Sequence, residues 1–447
     1  MIPYGNNIVI IGGGFAGINV AQNLLNKQKD LHVTLVDRNN YNFFPPLLYQ
    51  VATGFLDVSN ISYPYRKLFR NHPNFNFRMG DLLEIKPEEN LVVLSSGELR
   101  YSKLIVATGT ESNFLGNENV RKYAVPMKTV ADALLLKNTL LTRFEQATLS
   151  HDPVEQKKLT NIVIAGGGPT GVEIAGMLSE LKQNVFKKDY PELAALPFDI
   201  YVLDGLPTLL APMTKKSQGY ALKSLNALGA IIRLNQLVKD YDGESVLLGD
   251  GTRIETNNLI WTAGVTGQVF NGLPAEFYGR GKRLMVDACN KIKGTENIYA
   301  IGDTCLQTLD KNFPGGHPQL AQVAIQQGQN LAHNILAELN GKPLKPFRYH
   351  DKGSMAIIGR NKAVTDLPKP NIHFQGFIAW LIWLFIHLLS LVNFRNKLKT
   401  ITSWTAAYIS KDQYLRMIVR PAIKESAGTG GGIGKAIAAA FAKEIQR

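Results

Sequence analysis

Cysteine is scarce in this chain: Cys289 and Cys305 are the only two among 447 residues. That scarcity excludes a disulfide framework, a cysteine-rich zinc module and a cysteine-ligated iron–sulfur cluster. No metal site is expected. Charge is modest too, at 19% of residues against 45% hydrophobic. Such a balance marks a globular chain with ample material for a core. Long apolar runs are missing. The greasiest stretch, Phe377–Ile386, has ten residues, where a spanning helix wants about 20. Met1 to Asn7 carries no basic leader, and the apolar run Ile8–Ile11 is too short for a signal peptide. A reduced, cytoplasm-facing setting is the expectation.

What is present begins with basic charge, and its placement matters more than its sum. The net charge is +13, but from Gly341 onward there are 17 Lys+Arg against 5 Asp+Glu, or +12, leaving +1 for the first 340 residues. A nucleic-acid binder with a basic body is therefore disfavoured. The pattern is a nearly neutral body with a separately purposed basic end.

The chain also contains an imperfect repeat. Ile8–Leu24 (IVIIGGGFAGINVAQNL) and Ile162–Leu178 (IVIAGGGPTGVEIAGML) share nine of 17 positions at an offset of 154. Each reads as strand, tight turn and helix. Each contains G-x-G-x-x-G: Gly12, Gly14 and Gly17, then Gly166, Gly168 and Gly171. The first glycine permits the turn, the second admits a pyrophosphate against the backbone, and the third lets helix and sheet pack closely. Phosphates then sit on the free N–H groups of a helix N-terminus. Both copies are followed by a strand ending in an acid that can accept from an adenosine ribose: Asp37 after Leu31–Val36, and Asp204 after Phe198–Leu203. An acid there repels a 2′-phosphate, so NADH is expected over NADPH.

Further landmarks are the turn after Lys103–Val106 (Ala107, Thr108, Gly109), a Trp261–Gly264 turn, and the late Asn297–Asp303 (NIYAIGD). Their order resembles that of the flavoproteins with two dinucleotide-binding domains, over residues 5 to 340. The resemblance implies an α/β fold of two Rossmann-like domains, with the NADH domain inserted in the FAD domain. FAD contacts would come from Gly12, Gly14, Phe15, Ala16 and Gly17, from Asp37, Arg38 and Pro46, and from Ala107, Thr108, Gly109, Asp303 and Ala321. NADH contacts would come from Gly166, Gly168, Gly171, Asp204, Ala263 and Gly264.

Members of that superfamily differ in where the electrons go. Tyr41–Leu56 holds no cysteine pair, so a thiol relay is not expected, and Cys305 reads as packing. The segments Pro46–Gly54 (PLLYQVATG), Ala321–Gly328 (AQVAIQQG) and Met355–Val364 (MAIIGRNKAV), with the apolar–basic end, resemble type II NADH dehydrogenases. That resemblance implies transfer of hydride from NADH to FAD and reduction of a membrane quinone, menaquinone or ubiquinone, to quinol without proton pumping. It places Gln322 and Gln326, four apart on one helix face, at the quinone, and Pro46 to Gln50 beside the flavin. Glu173 reads either as a first-turn acid complementing the helix dipole or, by the resemblance, as a proton-delivering group near the nicotinamide. A homodimer through C-terminal helices is implied only by resemblance. The alternative function is a soluble NADH-dependent reductase of a rubredoxin- or ferredoxin-like carrier, which shares the body but does not need the Trp-rich basic end.

That end reads as a membrane mount. Phe377 to Val392 is too short to span and has a less apolar face through Gly376, Ala379, Trp383, His387, Ser390 and Asn393. A helix lying in the interface fits better. A second amphipathic stretch places Leu398, Ile401, Trp404 or Thr405, and Tyr408 on one face. Trp380, Trp383, Trp404, Tyr408 and Tyr414 suit the water–lipid boundary, and the basic charge suits an anionic bilayer surface. His317, before Pro318, reads as structural, and His387 as an interface histidine, with a tunnel or headgroup contact as the alternative. Ser426–Arg447 forms a glycine-rich breaker and an appended helix with no assigned role. The expected organisation is residues 1–115 and 291–345 for FAD, 116–290 for NADH, 346–425 for membrane attachment and 426–447 appended.

Overall fold

The computed structural model describes residues 7–28, 30–196, 198–412 and 415–419. Tyr414 and residues 426–447 lie outside them. Strand β1 (Asn7–Ile11), helix α1 (Phe15–Lys27), β2 (His32–Asp37), a short helix α2 (Leu48–Ala52), β3 (Phe75–Met79) and β4 (Lys103–Val106) open the chain. The first sheet is parallel, in the order Ile298–Ala300, β4, β1, β2, β3. Its central strand, NIVII, is buried throughout. A parallel sheet covered on both faces requires that continuous apolar run.

The long helix α3 (Val130–Leu149) leads into a second unit of the same kind. It contains β5 (Ile162–Ala165), helix α4 (Pro169–Leu181), β6 (Ile200–Asp204), helix α5 (Lys215–Ala227), β7 (Ile231–Leu234) and β8 (Asn258–Trp261). Its parallel sheet runs Val125–Pro126, β8, β5, β6, β7. The extra residues between the second glycine motif and Asp204 are helical, ending in a π-helical turn at Lys182–Phe186 and a short turn at Pro191–Leu193. The chain then returns to the first sheet through Ile298–Ala300. Two Rossmann-like sheets, the second inserted in the first, follow from these connections.

Helix α6 (Ala321–Leu339) packs along α1, closely enough that a Cβ on Gly328 would stand 2.7 Å from the Ala16 carbonyl oxygen. An antiparallel meander follows: β9 (Ser354–Gly359), β10 (Lys362–Leu367) and β11 (Ile372–Gln375). Strand β9 lies on α4, where a Cβ on Gly176 would meet the Ile358 carbonyl oxygen at 1.7 Å. The meander feeds helix α7 (Phe377–Ser390) and helix α8 (Phe394–Ser410).

Among the described residues no helix is long and apolar enough to cross a membrane. Ala379 and Trp383 of α7 and Trp404 and Ala407 of α8 are buried in the protein. The less apolar face of α7 is thus its docking face. This corrects the expectation for Trp383 and Trp404, which belong to the core rather than to a lipid boundary. The exposed face of α8 carries Leu398, Ile401, Thr405 and Tyr408.

Candidate active site

The two glycine loops have the same construction. After β1, Gly12 turns at φ +104, and a Cβ there would meet the Ala107 carbonyl oxygen at 2.3 Å. A Cβ on Gly17 would stand 1.9 Å from the Gly12 carbonyl oxygen. Gly14, which precedes α1, has nothing within 4 Å. In the second loop Gly166 turns at φ +114, Gly171 would clash with the Gly166 carbonyl oxygen at 1.8 Å, and Gly168 is open. Neither Gly14 nor Gly168 provides a side-chain cap for the helix that follows. Each loop is therefore tight where the protein needs it and empty where the helix N-terminus points, as a pyrophosphate requires.

The two acids take equivalent places. An Asp37 carboxylate oxygen accepts from the Gly13 N–H at 2.7 Å, and the other accepts from Asn39 N–H at 2.8 Å. Asp204 accepts from the Gly167 and Leu206 N–H groups. Burial raises the Asp37 pKa against these hydrogen bonds. Arg38 is paired with Asp81.

The ATG turn lies against the first loop, with the Ala107 N–H donating to the Ile11 carbonyl at 2.7 Å. The Thr108 hydroxyl is buried without a partner among the described residues. Asp303 is drawn above the ordinary carboxylate range by burial, opposed by Lys128 and Arg283. The Gly302 N–H beside it donates to Gln327 at 2.7 Å. An open glycine, an unpartnered hydroxyl and a buried acid converge here, so the residues fit FAD. On the other unit Trp261, Thr262, Ala263 and Gly264 (φ +104) close the second loop, where the Thr262 hydroxyl donates to the Ala165 carbonyl.

Lys128 escaped the sequence reading because it belongs to no motif. Its ammonium donates to the Thr110 hydroxyl at 2.8 Å, and burial lowers its pKa while Asp303 opposes that shift.

Glu173 is buried in α4, and no acid occupies that helix's first turn. The dipole reading is thereby corrected. Burial raises its pKa well above the usual carboxyl value, opposed by the Ile357 backbone N–H and the Trp383 indole that face it. Tyr49 is buried nearby, and Glu173 helps raise its pKa after burial does so. Gln50 links this cluster to the C-terminal helices: its amide donates to the Tyr49 hydroxyl at 2.9 Å and accepts from the Trp404 indole at 2.8 Å. His387 stacks on Trp383 at 3.8 Å between ring centroids and meets Phe44 edge-on.

Gln322 and Gln326 share a face of α6, but both amides have partners. Gln322 donates to the Gly353 carbonyl and accepts from Lys352 N–H; Gln326 does the same with His350. The two amides thus form a pair of two-point clamps on residues 350–353. Cys305 is buried, its thiol pushed up to about 11 by that burial. His317 is buried against Asp310 at 3.1 Å.

Comparison with known proteins decides among chemistries that this geometry allows. Residues 6–328 match the pyridine nucleotide-disulphide oxidoreductase family, and residues 351–411 match the NDH2 C-terminal domain. The type II NADH:quinone oxidoreductase Ndh of Mycobacterium tuberculosis is 36% identical over 423 residues, covering 91% of this chain and 89% of its own. The chain belongs to the type II NADH:quinone oxidoreductases. The corresponding protein of Haemophilus influenzae is 29% identical, over 81% of this chain and 87% of its own. Among solved structures, NDH2 from Plasmodium falciparum in complex with NADH superposes at a TM-score of 0.83 with 22% identity, covering 93% of this chain and 100% of that one. The sulfide:quinone oxidoreductase of Aquifex aeolicus shares the fold at 0.70 with 20% identity, over 92% and 96%. This type II enzyme is thus an FAD-dependent NADH:quinone oxidoreductase, with FAD and NADH as its nucleotides.

Proposed function

We propose that FAD is held by the first glycine loop and NADH by the second. Gly12, Gly14 and Gly17 with Phe15 and Ala16 form the FAD pyrophosphate cradle. Asp37 and Arg38 serve its adenosine end. Ala107, Thr108, Gly109, Asp303, Ala321 and Pro46 line the rest, and Lys128 sets the charge beside Asp303. Gly166, Gly168, Gly171, Asp204, Ala263 and Gly264 hold NADH. Residues 1–115 and 291–345 act as one nucleotide unit and 116–290 as the other. Bound there, the flavin supplies the hydride acceptance and two-electron delivery that link NADH to quinone.

Reducing a quinone also takes two protons. Glu173 holds one at its carboxyl, because burial disfavours the ionised form. Its neighbours Tyr49 and Trp383 form a dry wall around it. Gln322 and Gln326 position residues 350–353, and with them the meander that carries α7, rather than touching quinone themselves.

The apolar sides of α7 and α8 are the membrane seat. Phe377, Ile378, Leu381, Phe385, Leu389 and Phe394 are exposed, a contiguous patch that a water-soluble surface rarely shows. The enzyme lies on the bilayer without crossing it, on the cytoplasmic face, where NADH is supplied. Basic charge in the last hundred residues strengthens the hold on anionic lipid.

The observation that carries the nucleotide assignment is the pair of open glycines, Gly14 and Gly168, each facing an uncapped helix start. Flavin content tests it. Denatured holoenzyme should release one FAD per chain, and NADH titration should saturate at one further nucleotide. Two equivalents of flavin, or none, would contradict the assignment.

A further inference from the structure

Helix α5 breaks a local electrostatic rule. Thr214 caps its N-terminus, donating and accepting normally, yet the first two helical residues are Lys215 and Lys216 and its first turn holds no acid. Cations at that end oppose the helix dipole. About two turns further on, Lys223 extends the same side, and Lys362 joins from β10.

These four lysines line one open pocket of about 500 Å³, together with Gly219, Tyr220, Ser224 and Gln375. Like charges gathered in a concave site repel each other unless an anion offsets them. Among the described residues none of Lys215, Lys216 and Lys223 has a carboxylate partner. Of the nearby acids, Glu180 partly offsets Lys362, and Asp366 is engaged with other partners. Asp366 is held by Thr214, Ser217 and His373, and Glu180 faces the Arg360 N–H and Lys362.

The pocket also has a fixed relation to the apolar patch. Gln375 is followed by Gly376 and then by α7, whose 14 residues begin with no side-chain cap. The exposed Phe377 and Ile378 thus start where the lysine pocket ends. With those side chains at acyl depth, the adjoining lysines would lie near the level of lipid headgroups.

We propose that this pocket seats the phosphate headgroup of an anionic phospholipid, the lysines surrounding the phosphate while the acyl chains lie along the exposed side of α7. The inference rests on the membrane seat proposed above and adds to it a defined lipid site in place of diffuse attraction.

Partitioning of the holoenzyme onto vesicles tests it, with vesicles of phosphatidylcholine alone and of phosphatidylcholine mixed with phosphatidylglycerol. The variant Lys215→Gln/Lys216→Gln/Lys223→Gln is compared with Lys27→Gln/Lys122→Gln/Lys311→Gln, which removes the same charge from other elements. Flavin absorbance and melting temperature confirm that both fold. The pocket variant should bind mixed vesicles about 100-fold more weakly than wild type and bind phosphatidylcholine unchanged. The control variant should fall by no more than about threefold. Equal losses in the two variants would overturn the pocket in favour of diffuse charge. Inorganic phosphate at matched ionic strength should leave the preference for mixed vesicles intact; abolishing it would make a soluble phosphate the occupant and overturn the proposal. Wild type binding phosphatidylcholine with no gain from the anionic lipid would overturn the pocket alone. Binding to neither vesicle would overturn the membrane seat as well.

Discussion

The indole N–H of Trp404 donates to the side-chain oxygen of Gln50 at 2.8 Å, joining residues 354 apart in the chain. One belongs to the segment that follows the first glycine loop and its strand pair, the other to the last described helix. The bond is buried, and Gln50 passes it on to the Tyr49 hydroxyl. The C-terminal helix α8 and the surroundings of Glu173 are therefore parts of one packed unit.

Trp404→Phe keeps most of the ring volume but removes the donor. Leaving the Gln50 oxygen buried without a partner should cost about 1–3 kcal/mol in thermal unfolding. Quinone-dependent turnover should fall more than flavin reduction by NADH. Equal losses in the two half-reactions would separate this bond from the quinone side.

Glu173→Gln imitates the protonated acid. Because burial raises the native pKa above 4.5, the native state retains a proton that the unfolded chain releases. The stabilising contribution is full below about pH 4.5 and is lost as pH rises toward the native pKa. The variant has no such loss. Its melting temperature should therefore gain on wild type at pH 8 relative to pH 5, while its quinone turnover drops. A constant difference between the two pH values would show that Glu173 is not held protonated by burial.

Gly14→Ala and Gly168→Ala separate the two nucleotide sites. Neither Cβ would meet the protein, so both variants should fold. The first should purify with depleted FAD. The second should stay yellow but show a KM for NADH raised by about tenfold. Gly17→Ala is the contrasting case, since its Cβ would enter the Gly12 carbonyl and should impair folding.

His387 offers a titration of opposite sign. Burial lowers its pKa to about 4 from 6.5, against a hydrogen bond to the Trp383 carbonyl. The unfolded chain protonates first as pH falls, so wild type should lose stability between about pH 6.5 and 4. His387→Phe should lose less over the same window. Parallel stability–pH curves would show an exposed, ordinary imidazole.

Sequence legibility followed chemical range. The glycine loops were readable because each glycine answers a constraint set within a few residues, and Asp37 and Asp204 because a strand ends beside a turn. Lys128 was invisible because its partner Asp303 lies 175 residues away and only the fold brings them together. Trp383 and Trp404 were misread for a related reason. Amphipathic periodicity locates two faces of a helix, but an indole suits a lipid boundary and a protein core equally well until the partner surface is known. Gln322 and Gln326 were correctly placed on one face, while the segment 350–353, just before β9, that bonds their amides could not be seen from spacing.

Anaerobic mixing of the yellow holoenzyme with NADH, then with a soluble quinone analogue, tests the account at its centre. NADH should bleach the flavin absorbance, and quinone should restore it in the absence of oxygen. Bleaching that quinone fails to reverse would contradict the assigned acceptor, and an absorbance indifferent to NADH would contradict the placement of both nucleotides.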